Sequence, residues 1–150
     1  STSTGRERLQ AFRAAVAETG ADDDVELVYF GDFQSASGAA GAGLLLDLPV
    51  PPTALLAADS LMSIGAVGVC NDRGLDIGAD IAFVAYDDIE AFTLLNPALT
   101  VIAHDVHAMG RVAVDLLIAE ISGESPESVV LPSRLIIRGS TPSLPEGNPA

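Results

Sequence analysis

Three short turns in the chain place side chains with usable chemistry directly after apolar stretches. Gly31-Asp32-Phe33 follows residues 25–30, Ala58-Asp59-Ser60 ends the run at 53–58, and Asp87-Asp88 follows residues 81–86. If those stretches are strands of an open α/β sheet, these turns lie beyond the carboxyl ends of the strands, where such sheets collect their ligands. The start of the first helix would bring Thr4 and Arg8 to the same edge. A carboxylate accepts hydrogen bonds from ligand hydroxyls or amines, a guanidinium donates, and an aromatic ring stacks. The combination suits a small polar ligand such as a sugar or a base. Each residue also has a plainer use. Asp59 is placed to cap a helix, and Asp87 and Asp88 could cap a short one. Phe33 could close the core, and Arg8 could pair with a surface acid.

Other chemistries lack their parts. The chain has 150 residues, a formal net charge of −14 and a pI of about 4.1. All its basic residues are Arg; there is no Lys. A phosphate-binding P-loop and a Schiff base both need that Lys. The same gap excludes a phosphoacceptor receiver, whose acidic cluster works with a Lys. An acidic surface does not suit direct nucleic-acid binding. His104 and His107 are three apart, but no third His and no adjacent Cys would complete a metal site. No Gly-x-Ser-x-Gly elbow occurs, and no Gly-x-Gly-x-x-Gly follows a strand. An enzyme using Asp87 as a base would therefore have neither nucleophile, cofactor motif nor metal, and no cofactor is expected.

The elements that must position these residues alternate. With 49% apolar and 19% charged residues, the composition is that of a folded chain. Residues 4–20 read as a helix capped by Thr4, with Leu9, Phe12 and Val16 on one face and Gly20 at its end. Residues 25–30 read as a strand. A small-residue helix starts at Ser35 or Ser37 and runs to Asp47, and the Pro-rich link at 49–52 follows. Residues 53–58 read as a strand, then a helix capped by Asp59 or Ser60 runs to Arg73-Gly74. A third strand spans 81–86, a turn falls at Asn96-Pro97, and residues 100–103 are extended. Asp105 caps a long helix with Val106, Met109, Ala113, Leu116 and Leu117 in a stripe and Gly123 at its end. Residues 129–131 and 135–137 read as two strands, and a disordered tail is expected from Pro142. Alternation with continuous apolar strands indicates an α/β fold with a parallel, doubly wound sheet.

Cys70, the single Cys, sits in an apolar helical run and reads as a buried structural thiol; no disulfide can form within the chain, which hints at a reducing compartment. No run approaches the ~18 apolar residues of a membrane span, and no signal peptide is expected. The chain opens at Ser1 on a helix rather than a strand, so at least one strand is expected N-terminal to it in the parent protein.

Several stretches, in order, resemble the effector-binding core of lactose-repressor-type (LacI/GalR family) bacterial transcription regulators. They are Ser3-Thr4-Gly5-Arg6-Glu7-Arg8-Leu9-Gln10-Ala11-Phe12; Gly31-Asp32-Phe33-Gln34-Ser35-Ala36-Ser37-Gly38; the run from Pro52 to Ala66; Val84-Ala85-Tyr86-Asp87-Asp88-Ile89; Pro97-Ala98-Leu99-Thr100-Val101-Ile102; Met109-Gly110-Arg111; and Leu131-Pro132-Ser133-Arg134-Leu135-Ile136-Ile137-Arg138-Gly139-Ser140-Thr141. The resemblance spans roughly residues 3–141.

It implies the C-terminal lobe of a fold like the periplasmic sugar-binding proteins over residues 1–103, and a crossover helix of the N-terminal lobe over 104–128. Returning strands at 129–141 and the tail at 142–150 complete the implied division. It also implies a role for each site residue. Arg8 matches the family's cleft Arg, Thr4 a polar position at the same helix start, Phe33 the aromatic that stacks on sugar or purine, and Asp87 the acid that binds ligand hydroxyls or a base nitrogen. Where the family often has Asn-Asp, this chain has Ala58-Asp59, and the bidentate Asn is lost, which puts a hexose held in the usual way in question. The implied function is the effector-binding and dimerisation part of a cytoplasmic regulator, a homodimer that meets operator DNA only through a helix-turn-helix headpiece absent from this chain and has no membrane contact. A periplasmic-type solute receptor shares the fold and is the alternative. The Arg138-Gly139-Ser140-Thr141 ending and the Asp87-Asp88-Ile89 segment favour the regulator.

Overall fold

Helices and strands alternate through most of the chain, and the pairing of the strands decides which turns meet. The computed structural model describes residues 3–19 and 25–142. In chain order the elements are α1 (Ser3–Thr19), α2 (Ser35–Leu46), β1 (Ala54–Leu56), α3 (Ser60–Asp72), β2 (Ala82–Tyr86), α4 (Glu90–Thr93), β3 (Thr100–His104), α5 (Val106–Ile121) and β4 (Ser133–Ile136). They form one four-stranded sheet in the order β1-β2-β3-β4. β1, β2 and β3 run parallel, and β4 returns antiparallel to β3 with Ile102 opposite Leu135.

The two faces of the sheet differ. Leu55, Phe83, Ala85, Val101 and Ala103 point to one face and are all buried. They form the core with Ala66, Val67, Cys70, Phe92 and Leu99. Ala54, Leu56, Ala82, Val84, Tyr86, Ile102 and His104 alternate onto the other face and are exposed or half-buried. α2 and α3 pack backbone to backbone. A Cβ on Gly38 would collide with the Met62 carbonyl, and one on Gly65 with the Ser35 carbonyl. The small residues of α2 therefore serve close helix approach. Cys70 is fully buried, and burial pushes its thiol pKa up.

The caps behave as their residue types require. The Asp59 carboxylate accepts from the Met62 N–H and Asp105 from the Ala108 N–H. Gly74 and Gly123 have positive φ just beyond α3 and α5. The Asn96–Pro97 bond, in the expected turn, is cis.

A polar clip ties the segment after β4 to the sheet. Ser140 is fully buried; its hydroxyl donates to the Phe83 carbonyl at 2.6 Å and accepts from the Thr100 N–H at 2.8 Å. Its own N–H donates to the Ala98 carbonyl and its carbonyl accepts from the Phe83 N–H.

Three expectations need correction. Residues 25–30 do not form a strand: Val25–Leu27 is a 3-10 turn and the chain beyond it joins no ladder. β1 is the sheet edge among the described residues, and this segment does not pair with its open side; Tyr29 packs instead against α2 at Gly41. Thr4 is not a cap, because the helix already includes Ser3. Of the two strands expected near the C-terminus as part of the other lobe, residues 129–131 form no ladder, and Ser133–Ile136 pairs with β3 in this same sheet. α5 has the expected amphipathic stripe, with Val106, Met109 and Leu117 exposed and no residue of the helix buried. Gly20 and residues 143–150 of the expected tail lie outside the described residues.

Candidate functional site

The parallel pairing of β1 and β2 brings two of the three acidic turns side by side. Leu56 pairs with Val84, so continuing the register sets Ala58 beside Tyr86. Arg8 reaches this place from the second turn of α1. Its guanidinium carbon lies 3.6 Å from the centre of the Tyr86 ring, and Nη1 donates to the Ala58 carbonyl. The two contacts hold a long, flexible side chain flat over the carboxyl ends of β1 and β2. Thr4 lies one helical turn before Arg8, on the same face of α1.

Asp87 follows Tyr86 directly. Its N–H donates to the Ile102 carbonyl at 2.9 Å, and its φ is +65°. Phe33, in the turn before α2, has the same φ of +65°. Among the described residues these two are the non-glycine residues with positive φ. L-residues avoid that region, bulky ones most of all, and such strain gathers at binding sites. The Phe33 turn is fixed on both sides. The Asp32 N–H donates to the Ser37 hydroxyl, and the Asp32 carboxylate accepts from the Gln34 N–H. Gly31 sits so close to the Met62 side chain that a Cβ there would collide with it. Met62 is in the first turn of α3, next to Asp59 and Ala58, so the Phe33 turn abuts the same corner as Arg8.

The neighbouring acids behave differently. Asp88 does not cap α4, whose N-cap is Ile89 without a side-chain bond. Its carboxylate takes two hydrogen bonds from Arg138 Nη2, at 2.7 and 2.9 Å, and Arg138 also donates to the Leu99 carbonyl. The geometry of a fixed anion–cation pair overrides the capping role. Asp59, by contrast, is the cap that its position suggests.

The site thus gathers Arg8, Ala58 and Asp87 around Tyr86 and sets the Phe33 turn alongside. Tyr86 is the residue that reading the sequence for acids and turns passes over. Its signal is an aromatic at the last position of an apolar strand, immediately before the acid. His104, at the end of β3, stacks behind it with ring centroids 5.2 Å apart. A concavity of ≈ 150 Å³ lies beyond β3, lined by His104, Asp105, Met109, Val129, Leu131 and Pro132. It does not include Arg8, Phe33 or Asp87. Among the described residues no group of three metal-ligating side chains occurs, and no helix is long and apolar enough to cross a membrane.

Residues 1–141 match the periplasmic binding protein-like domain. The chain is 34% identical over 140 residues to the HTH-type transcriptional repressor CytR of Escherichia coli, covering 92% of this chain and 41% of that protein. It is 37% identical over 138 residues to the HTH-type transcriptional regulator CelR of Thermobifida fusca, covering 91% and 41%. It is 32% identical to a probable opine utilization operon repressor of Rhizobium rhizogenes, covering 97% and 75%. Among solved structures, the complex of the regulator CelR with cellobiose superposes with a TM-score of 0.83 at 37% identity, covering 91% of this chain and 42% of that one. A probable LacI family regulator from Corynebacterium glutamicum gives 0.82 at 35%, covering 95% and 51%. These relatives are named as transcriptional repressors and regulators, not as enzymes. The chain spans about two fifths of the length of the first of them. Through its periplasmic-binding-protein-like domain, the chain belongs to the LacI-type transcriptional regulators.

Proposed function

We propose that this chain is the effector-binding part of a LacI-type regulator, and that the face formed by Thr4, Arg8, Phe33, Ala58 and Asp87 takes a small polar ligand, a sugar or a nucleobase-like compound. Asp87 accepts from ligand hydroxyls or amines, Arg8 donates, and Phe33 stacks. Residues 1–103 form the C-terminal lobe, residues 104–128 cross to a second lobe, and the ligand sits between the two. Binding favours one lobe orientation and thereby changes how a pair of helix-turn-helix headpieces meets operator DNA. The whole protein is a cytoplasmic homodimer, and the exposed apolar residues of α5 belong to surfaces covered in that assembly.

The observation that carries this reading is the shared strained backbone of Phe33 and Asp87, one turn beyond β2 and one before α2. The ligand of the CelR complex, cellobiose, supports a carbohydrate among the candidates. The test is a thermal-shift screen of the chain against cellobiose, other mono- and disaccharides, purines and pyrimidine nucleosides. The reading expects at least one compound to raise Tm in the wild type and not in Phe33→Ala. A panel in which no compound does so contradicts it.

A further inference from the structure

We propose that Tyr86 and His104 are positioning residues for Arg8: a stack of guanidinium, phenol and imidazole sets the plane of the Arg8 cation before any ligand arrives. The proposal rests on the effector-site reading and deepens it, since neither aromatic is a candidate ligand contact there.

The sheet register builds the stack. Tyr86 ends β2 and pairs with Ile102 of β3. His104 lies two residues beyond Ile102 and so returns to the same face as Tyr86. The two rings meet with centroids 5.2 Å apart at 40°. On the other side Arg8 lies 3.6 Å over the Tyr86 ring centre, with Nη1 held by the Ala58 carbonyl. Tyr86, Arg8 and His104 are all half-buried. His104 Nε2 is shielded from solvent and has no hydrogen-bond partner among the described residues. A buried imidazole nitrogen left unpaired is a cost to folding, so bonding at that atom does not explain the ring's place; its contact with Tyr86 does.

The physical consequence concerns entropy. A free Arg side chain gives up several rotatable bonds when it grips a ligand, and that loss weakens binding. The Tyr86 face and the Ala58 carbonyl impose the order in advance. A guanidinium has five N–H groups, and among the described residues one hydrogen bond is made, to Ala58. The remaining donors are thereby held in a fixed direction over the carboxyl ends of β1 and β2. His104 prevents the Tyr86 ring from swinging away under the cation.

Two arms test this in the chain itself. The first needs no ligand: NMR of the Arg8 side chain, reading the ring-current shift of its δ-methylene protons and the order parameter of its Nε–H. Wild type and Tyr86→Phe are expected to show shielded, ordered signals. Tyr86→Leu is expected to release them, His104→Ala to do so in part, and His104→Phe to restore them. A structural role alone would lower Tm without selecting aromatic replacements. Arg8 signals that are unchanged in a folded Tyr86→Leu overturn the proposal.

The second arm titrates cellobiose, or the panel compound that raises Tm most. Tyr86→Leu is expected to weaken binding about tenfold, with Tyr86→Phe close to wild type. In an Arg8→Ala background, Tyr86→Leu is expected to add nothing; an undiminished tenfold loss there also overturns the proposal. If the NMR responses appear while no compound binds, the positioning of Arg8 holds and the reading of this face as an effector site fails.

Discussion

Asp88 and Arg138 form an ion pair in which one guanidinium nitrogen lies 2.7 and 2.9 Å from the two carboxylate oxygens. The pair ties the turn after β2 to the segment after β4, and it separates the work of two adjacent acids. Asp88 is committed to a partner within the chain. Asp87, one residue earlier, holds a strained backbone at the carboxyl end of β2.

Replacing Asp88 by Ala therefore tests structure rather than ligand recognition. The pair is partly exposed, which moderates its worth, and the loss is expected to be about 1 kcal/mol. Urea denaturation of Asp88→Ala, Arg138→Ala and the double variant measures it. The cycle should show coupling between the two because they bond directly, and Arg138→Ala should cost more than Asp88→Ala, since it also removes the bond to the Leu99 carbonyl.

The φ of +65° at Phe33 makes a prediction that runs against habit. Gly in ordered structure is normally less stable than Ala, because its unfolded chain has more freedom to lose. In the left-handed region the Cβ penalty reverses the order. Phe33→Gly and Phe33→Ala both lose the ring, and the Gly variant is expected to be the more stable by about 1 kcal/mol. Equal stabilities, or a more stable Ala variant, would show that this backbone is not held in the left-handed region.

Ser140 satisfies two buried backbone groups of different strands, the Phe83 carbonyl and the Thr100 N–H. Ser140→Ala leaves both unpaired. The expected loss is about 2–3 kcal/mol, large for the removal of one oxygen atom. Thermal melts measure it, and a loss well under 1 kcal/mol would place the clip's stability elsewhere.

Acid sensitivity follows from two carboxylates. The Ala108 N–H, backed by Arg111, holds Asp105 below the usual carboxylate range, and the hydrogen bond from Arg73 does the same for Asp47. A group with a depressed folded pKa binds its proton more weakly when folded. Its stabilisation is complete above the unfolded carboxylate value near 3.8 and is lost as pH falls through the lower, folded value. Tm of the wild type should therefore fall more steeply below pH 4 than that of an Asp47→Asn, Asp105→Asn variant, whose curve lies lower at neutral pH. Parallel curves would deny both groups this role.

Much of the arrangement is legible in the sequence because local chemistry and tertiary context agree. Asp59 and Asp105 cap where their types and positions demand, and Gly74 and Gly123 end their helices in left-handed turns. The apolar runs ending at Tyr86 and His104 pair in parallel. Two features depended on partners that local pattern does not display. Residues 25–30 have strand composition, but a strand exists only through its neighbour, and this segment pairs with no described strand. Asp88 looks like a cap because it precedes α4, while its partner Arg138 lies 50 residues away. The site follows the same division. Phe33 and Asp87 are found by their place after apolar runs. The hold of Ala58 and Tyr86 on Arg8 needs the sheet register and the course of α1 together.

The central claim is that Asp87, not Asp88, is the acid that meets the effector. Calorimetric titration of cellobiose, or of the panel compound that stabilises the chain most, into wild type, Asp87→Ala and Asp88→Ala tests it, with Asp87→Asn as a variant that tolerates the same backbone. Asp87→Ala is expected to lose about 2 kcal/mol of binding free energy or more, because a ligand hydroxyl or amine is left unpaired, and Asp87→Asn, which keeps an uncharged acceptor, about 1 kcal/mol. Asp88→Ala is expected to bind like wild type. Wild-type affinity in both folded Asp87 variants would contradict the assignment, and with it the roles given to Arg8 and Phe33.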